Sequence, residues 1–236
     1  MKLQRILSTV TVLFLIQAGA VMCLAKDNKS RLKDAAEESA KAANALTEIM
    51  GIPDKAIPQT VFDSAECVAV FPSTIKGGLI LGAQKGDGVV SCRTPRGWSA
   101  PVYLDMTGGS VGPQIGVQST DFVLLFMNRK GADHLLKNEF TVGAEASVAA
   151  GPVGREAGAS TDWKLNAEIL SYSRSKGAFI GAALNGVKIS TDNSDMKSIY
   201  GASYNARALL QENKIEAPPG VRAFPDALGR YSSRKD

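Results

Sequence analysis

The sequence predicts an α+β fold: a strongly curved, glycine-rich antiparallel β-sheet or barrel, with one helix before it and short helices near the C-terminus. Two observations support this prediction. Of the 23 glycines in the 236 residues, 19 lie between Gly77 and Gly201, among repeated short apolar runs. Glycine weakens a strand unless the backbone bends sharply or approaches another segment closely, so this concentration favours a curved sheet. Before that stretch, small and apolar residues recur at helical spacing.

The first 25 residues have the layout of a cleaved secretory signal peptide. Lys2 and Arg5 precede an apolar run, Ile6 to Ile16, which is followed by small residues. This order of a basic segment, an apolar segment and small residues is typical of a signal peptide. The run is shorter than the roughly 20 apolar residues that span a bilayer, which argues against an uncleaved anchor.

Two cleavage positions fit this segment. Small residues precede both candidate positions, after Ala20 and after Ala25. Cleavage after Ala25 is favoured because charged residues come next. A lipidated Cys23 is an alternative, but the residue before it, Met22, is larger than that processing prefers. No linker divides the remainder, so residues 26–236 are predicted to form one exported domain.

A helix is predicted over residues 31–50, with Ser30 as its N-cap and Gly51 and Pro53 at its end. Its apolar stripe is rich in alanine and narrow, and its other face mixes acids with bases. A helix that lies on a membrane usually has bulkier apolar residues and an unmixed basic face. We therefore expect this helix to dock on its own domain.

Strands are predicted from residue 66 onward because short apolar runs alternate with turn residues. The first ends at Pro72, and the next two form a hairpin across residues 85–88. The predicted strands are Glu66–Pro72, Gly78–Gln84, Val89–Arg93, Pro101–Asp105, Ser110–Gln118, Phe122–Met127, Phe140–Ala149, Ala167–Ser173 and Ala178–Ile189. Short helices are predicted over Arg129–Lys137 (after an Asn128 cap), Asp195–Tyr200 and Tyr204–Glu212, with a last turn at Pro225–Gly229.

Two cysteines of the domain, Cys67 and Cys92, fall in predicted strands. In an oxidising compartment they are candidates for a disulfide, provided that their Cα atoms approach within ~7 Å. The alternative is a pair of buried thiols that act as small hydrophobic residues. The spacing alone leaves both open.

The sequence contains no complete catalytic or metal-binding set, so no catalytic residue, metal ligand or cofactor is predicted. His134 is the only histidine, which excludes sites that need two. Gly108-Gly109-Ser110-Val111-Gly112 matches the G-x-S-x-G motif of hydrolases, but that motif requires a helix directly after the serine. Gly112 and Pro113 oppose such a helix, which leaves a Ser110 hydrolase as a remote alternative.

The charge pattern is weakly basic. The net charge of +4 is too small to indicate nucleic-acid binding. Cations flanked by glycine occur in the β-rich part, and backbone N–H groups beside such cations can hold an anionic headgroup. A merely solvated surface is the competing interpretation, because the basic residues form no continuous run.

Several ordered motifs of this chain resemble the SYLF lipid-binding domain, across residues 31 to 230. They are Ala69-Val70-Phe71-Pro72, Lys76-Gly77-Gly78-Leu79-Ile80-Leu81-Gly82-Ala83-Gln84, Ser110-Val111-Gly112-Pro113-Gln114-Ile115-Gly116-Val117-Gln118-Ser119, Val123-Leu124-Leu125-Phe126-Met127, Val142-Gly143-Ala144-Glu145-Ala146-Ser147-Val148, Tyr172-Ser173-Arg174-Ser175-Lys176-Gly177, Gly186-Val187-Lys188-Ile189 and Tyr200-Gly201. The resemblance implies a non-enzymatic domain that binds anionic lipids, phosphoinositides in eukaryotic members, and in fungal and animal proteins also actin filaments. An exported chain does not meet actin, so anionic phospholipid in the periplasm or outside the cell is the expected partner.

The residues expected to contact lipid headgroups are the cations of the first helix and of the sheet. They are Arg31, Lys33, Lys41, Lys76, Arg93 and Arg96. An envelope domain that binds a protein partner, through sheet edges and the glycine-rich face, is the second hypothesis.

Overall fold

The computed structural model of the protein is an α+β fold in which one long helix and several short ones surround a strongly curled sheet, a half-barrel. The described residues are 29–53, 56–78, 81–111, 116–154, 167–175, 178–182, 184–212 and 214–233. The predicted signal peptide, residues 1–25, lies outside them.

The first helix is the longest of the described helices. Helix α1 spans 29–50. The others are α2 (Gln59–Ser64), α3 (Arg129–His134), α4 (Asn193–Tyr200), α5 (Ala206–Leu210) and α6 (Ala223–Tyr231), with a 3-10 turn at Pro219–Val221. Asn128, Asp192 and Asn205 cap α3, α4 and α5, since each side chain accepts a hydrogen bond from a first-turn N–H. Within the residues described, no helix combines the length and the apolar character needed to cross a bilayer.

The sheet contains ten strands within the described ranges. They are β1 (Cys67–Gly78), β2 (Leu81–Thr94), β3 (Gly97–Trp98), β4 (Val102–Val111), β5 (Gly116–Phe126), β6 (Glu139–Thr141), β7 (Val148–Ala150), β8 (Ile169–Ser175), β9 (Ala178–Gly181) and β10 (Lys188–Thr191). Their order is β6-β10-β4-β2-β1-β5-β8-β7, with β3 on β2 and β9 on β8. β7 runs parallel to β8, and the other strand ladders are antiparallel.

The β1–β2 hairpin at the centre of the sheet differs from the predicted one. Strand β2 runs unbroken through residues 85–88, where the sequence predicted a turn. A Cβ atom added to Gly86 would lie 2.3 Å from Thr74 Oγ1, and one added to Gly88 would lie 2.5 Å from the Phe71 ring. These glycines therefore permit a close approach inside the curled sheet and do not form a turn.

Strand β1 continues past Pro72, the predicted stop. The pairing register of β1 shifts between Val70 and Ile75, as in a β-bulge. Ser73 adopts a φ of 53° there. Its backbone N–H donates a 2.8 Å hydrogen bond to Asp121 Oδ1. The proline therefore bends the strand instead of ending it.

Three predicted strands are each divided in two. The run Ser110–Gln118 is split between β4 and β5, Phe140–Ala149 between β6 and β7, and Ala178–Ile189 between β9 and β10. Gly143 and Gly186 have φ values of 83° and 77°, in the left-handed region that favours glycine, and they lie between the separated strands. Apolar periodicity alone does not reveal these breaks, because small apolar residues continue through them.

Helix α1 docks on the sheet, as its narrow alanine-rich stripe predicted. Its fully buried side chains are Ala35, Ser39, Ala42, Leu46 and Ile49. The Tyr103 hydroxyl donates a 2.8 Å hydrogen bond to the Ala35 carbonyl, and Ser39 Oγ donates one of 2.9 Å to the Val221 carbonyl. The helix is already formed at residue 29, so Ser30 lies inside it and is not its N-cap.

A disulfide joins Cys67 and Cys92. The two residues are directly opposite each other in the β1–β2 ladder, with their Cα atoms 3.9 Å apart. The bond ties the first residue of β1 to a residue near the end of β2, at the end of the hairpin away from its turn.

Candidate functional site

A groove of about 540 Å³ lies between α1 and the turn end of the β1–β2 hairpin. Small and apolar residues form much of its lining. We call it the hairpin groove and define it by Glu38, Lys41, Pro72, Ser73, Ile75, Gly77, Ala83, Gln84, Lys85, Gly86 and Asp87. The side chain of Ile75 is 57% exposed, although it belongs to a central strand. Ile75 thus gives the groove an exposed apolar side chain among charged residues.

Two lysines lie in the hairpin groove. Lys85 is paired with Ile75 in the β1–β2 ladder, so the two side chains are on the same face of the sheet. Lys41 projects from α1, and its Nζ lies 2.9 Å from Glu37 Oε1. This ion pair is exposed and therefore weak. Two ammonium groups beside an apolar floor match the chemistry of an anionic amphiphile.

Lys76 lies at the same end of the hairpin on the opposite face of β1, because it follows Ile75 directly. Its Nζ is 4.5 Å from the centroid of the Phe122 ring. Partial burial lowers the pKa of the Lys76 ammonium. The aromatic ring compensates part of that desolvation by a cation–π contact.

The other two predicted cations of α1 lie closer to its start. Arg31 Nη1 is 3.5 Å from Asp195 Oδ1 in α4. Lys33 is exposed and forms a row with Glu37 and Lys41 at four-residue spacing. A hydrogen bond from Lys41, with the charge of Lys33 adding to it, lowers the pKa of Glu37. Arg31 therefore has a structural partner, whereas Lys33 lies on the exposed face that leads to Lys41.

Arg93 is an interior residue whose side chain is only 4% exposed. Its Nε donates a 2.8 Å hydrogen bond to the Ala65 carbonyl, and its Nη1 donates one of 2.6 Å to Ser232 Oγ. The guanidinium also stacks over Trp98 at 4.5 Å. Arg93 thus holds α2, the sheet and the C-terminal segment together, and this placement removes it from the cations that can reach a headgroup.

Arg96 lines a different cleft, of about 500 Å³, next to the C-terminal helix α6. Trp98, Arg222 and Arg230 also line that cleft. It lies at the disulfide end of the hairpin, because Arg96 follows the end of β2.

The six expected cations consequently do not share one surface. In the β1–β2 ladder Lys76 is opposite Gln84, and Cys67 is opposite Cys92. Eight residues of strand separate Gln84 from Cys92, or about 26 Å. Arg93 follows Cys92 directly and therefore lies far from the hairpin groove.

A second cleft, of about 450 Å³, adjoins the hairpin groove and is strongly acidic. It lies between α1, β2, β4 and α4, and we call it the acidic cleft. Its carboxylates are Asp34, Glu37, Glu38, Asp87, Asp105, Asp192 and Asp195. Within the described ranges, no three His, Cys, Asp or Glu residues are placed to hold a metal ion. Glu38, Lys41, Lys85 and Asp87 line both the groove and the cleft.

Glu38 is the buried acid between these two surfaces. Its Oε1 atom is buried and has no hydrogen-bond partner among the described residues. Burial raises the pKa of Glu38 to about 7; Lys41 opposes this shift, and the neighbouring charges of Asp87, Glu37 and Asp195 reinforce it. Glu38 therefore changes its charge near neutral pH.

The hydrolase alternative lacks its structural context. Ser110 lies within β4, paired with Gly82, and not at a turn from a strand to a helix. His134 is 8% exposed, and its Nε2 lies 3.2 Å from Glu168 Oε2, with Lys137 Nζ 3.3 Å from its Nδ1. His134 is therefore more buried than a lone helix histidine suggested, and it connects α3 to the segment before β8.

Comparison with known proteins identifies the family. Residues 107–231 match the family model described as Ysc84, the Las17-binding protein actin regulator. The chain belongs to this family, which confirms the resemblance to the SYLF domain.

The relatives include both yeast and animal proteins. "LAS seventeen-binding protein 3" of Saccharomyces cerevisiae is 32% identical over 194 residues, covering 78% of this chain and 42% of the relative. "SH3 domain-containing YSC84-like protein 1" of Homo sapiens is 34% identical over 161 residues, covering 66% of this chain and 47% of the relative. The chain thus spans under half the length of each of these relatives.

Sequence reasoning left out three residues of the hairpin groove: Glu38, Ile75 and Lys85. Lys85 was predicted to lie in a turn, and Ile75 directly follows the register shift in β1. Glu38 lies three residues after Ala35 and four before Ala42, a spacing that places it beside the buried stripe but does not show the acidic cleft around it.

Proposed function

We propose that this protein binds anionic phospholipid at a membrane surface through the hairpin groove and catalyses no reaction. The observation that carries the proposal is the position of exposed Ile75 beside Lys41 and Lys85, in one groove at the turn end of the central hairpin. Lysine ammonium groups reach phosphate, and the apolar floor suits the region just below the headgroups.

The expected binding is weak and reversible. Each lysine near an anionic membrane contributes about 1 kcal/mol, so the two groove lysines contribute about 2 kcal/mol. Exposed charges are screened within about 10 Å at moderate ionic strength, so binding should weaken as salt is added. The neutral Ile75 side chain adds contact without salt dependence.

We propose further that the domain acts outside the cytoplasm, as a peripheral protein of the periplasm or of a membrane surface reached by secretion. Residues 1–25 have the pattern of a signal peptide. The Cys67–Cys92 disulfide supports this location, because disulfides persist in oxidising compartments.

The test is co-sedimentation of residues 26–236 with phosphatidylcholine vesicles that contain or lack phosphatidylglycerol. The wild type should pellet with the anionic vesicles only, and less so at high salt. Replacing both groove lysines (Lys41→Gln and Lys85→Gln) should weaken binding by about thirtyfold, the equivalent of about 2 kcal/mol.

The control makes the same change of charge elsewhere, with Lys197→Gln and Lys214→Gln, both of which are exposed. It should retain most of the wild-type binding, and both double variants should keep the wild-type unfolding midpoint. Equal pelleting with neutral vesicles, or an equal loss in both double variants, contradicts the proposal.

A protein-interaction domain is the second candidate, because the family description and the yeast relative's name refer to binding of Las17 and to actin regulation. Strands β6 and β7 end the main order of the sheet, and their outer edges could accept a partner strand. Co-sedimentation with purified actin filaments, together with failure to bind anionic vesicles, would favour this candidate over lipid binding.

A further inference from the structure

We infer that a proton on Glu38 switches the hairpin groove to its more strongly anion-binding form. This inference rests on the proposed lipid binding and adds its regulation. It starts from position: Glu38 lies on the wall that the hairpin groove and the acidic cleft share.

The surroundings of Glu38 favour its neutral form. Its Oε1 atom has lost contact with water and gains no hydrogen bond from the described residues. On α1 the charged neighbours of Glu38 are Arg31, Asp34, Glu37 and Lys41. Across the cleft, the titratable groups that face it come from three elements: Lys85 and Asp87 from β2, Tyr103 and Asp105 from β4, and Asp192 and Asp195 from α4 and its N-cap. Acids outnumber bases in this set, so the ionised carboxylate is repelled as well as desolvated.

Two neighbouring acids show the same tendency. Burial, with the charges of Asp192 and Asp87, raises the pKa of Asp105. Burial and Asp192 likewise raise the pKa of Asp195, although Arg31 opposes the shift. Glu38 has the largest shift of the three: its pKa of about 7 places its titration near neutrality.

The charge of the hairpin groove follows from this titration. When Glu38 is ionised, Glu38 and Asp87 balance Lys41 and Lys85, and the net charge of the groove is zero. When Glu38 holds a proton, the same four residues carry one net positive charge. Anionic headgroups are therefore attracted more strongly at mildly acidic pH.

The same proton also favours the docked position of α1. The pKa of Glu38 is raised above its ordinary value of 4.5, so the protonated form is the one that folding stabilises. This contribution to the stability of the fold is complete below pH 4.5 and is lost as the pH rises through about 7. Acidification thus tightens the helix on the sheet and makes the groove more positive, and the two effects do not oppose each other.

The experiment compares binding to phosphatidylcholine vesicles containing phosphatidylglycerol at about pH 6 and about pH 8, on either side of the Glu38 titration. The wild type should bind about fivefold more tightly at the lower pH, as expected for one added charge at an anionic surface. Glu38→Gln should bind with nearly equal affinity at both pH values, close to the wild type at the lower pH.

Glu37→Gln is the matched control. It removes one negative charge from the adjacent residue of α1, but Glu37 is exposed and its pKa is lowered, so it does not titrate in this range. This variant should bind more tightly at both pH values and keep the fivefold ratio. The inference is overturned if the wild type binds equally well at both pH values, or if Glu38→Gln keeps the fivefold difference between them. The lipid proposal stands in either case.

A measurement without lipid separates the two proposals. The carboxyl carbon of Glu38, followed by NMR in the free protein, should titrate near pH 7. A midpoint near the ordinary 4.5 overturns the switch whatever the vesicles show. A midpoint near 7 with no vesicle binding at either pH overturns the lipid proposal, and the switch of lipid binding with it.

Discussion

The two ends of the β1–β2 hairpin use the same kinds of residue for different purposes. At the disulfide end, Cys67 is bonded to Cys92, and the neighbouring Arg93 is buried against backbone carbonyls, Ser232 and Trp98. At the turn end, Ile75 is exposed, and Lys85, its partner in the ladder, is exposed on the same face. A cation is structural at one end and available to a ligand at the other.

The difference shows what separates a structural cation from a binding one. Arg93 donates hydrogen bonds from its whole guanidinium to fixed acceptors, which compensates the loss of its hydration. Lys41 has only an exposed ion pair, and Lys85 is itself exposed, so an anion can still approach both lysines. The disulfide and the buried Arg93 fix one end of the two strands, and this fixed end supports the exposed binding surface at the turn end.

The largest effect on stability should follow from replacing Arg93 at the disulfide end. Arg93→Ala removes the cation from buried carbonyls and from the Asp63 carboxylate, whose Oδ1 lies 3.8 Å from Arg93 Nη2 in the native structure. The free energy of unfolding should fall by about 3 kcal/mol, measured by urea denaturation. Arg96 is exposed and lies three residues further along the chain, so Arg96→Ala should change the free energy of unfolding by about 0.5 kcal/mol or less. A loss below about 1 kcal/mol for Arg93→Ala would show that Arg93 is not a structural cation.

A smaller effect should separate two glycines of the same hairpin. Gly88→Ala places a methyl group 2.5 Å from the Phe71 ring and 2.6 Å from the Val70 carbonyl, where neither can move easily. Unfolding should become easier by about 2 kcal/mol. Gly77→Ala meets nothing within 4 Å, so its stability should stay within about 1 kcal/mol of the wild type. Similar losses for both variants would mean that Gly88 is packed no more tightly than Gly77.

The curved sheet was predictable, because strands tolerate many glycines mainly where the backbone bends sharply or packs closely against another segment. The hairpin turn was not, since Gly86 and Gly88 serve contacts with Thr74 and Phe71 that only the folded sheet creates. Helix α1 was predictable from its narrow stripe, whereas its N-cap was not, because the helix begins before Ser30.

The binding site was predictable only in part. Lys41 was identified as a candidate cation, but no sequence pattern distinguishes it from Arg93. Ser232, one of the residues that holds Arg93, is 139 positions away in the chain. Such a contact depends on the tertiary fold and leaves no local pattern. For the same reason Glu38 resembles an ordinary helix acid until the cleft around it is known.

The most direct measurement of the central claim places a polarity-sensitive fluorophore at either end of the molecule, through Ile75→Cys or Arg230→Cys. When phosphatidylglycerol vesicles are added, the label at position 75 should shift its emission to the blue, because the turn end of the hairpin enters the membrane interface. The label at position 230, in the cleft beside Arg96, should keep its emission in water. A shift at position 230 without one at position 75 would contradict the account.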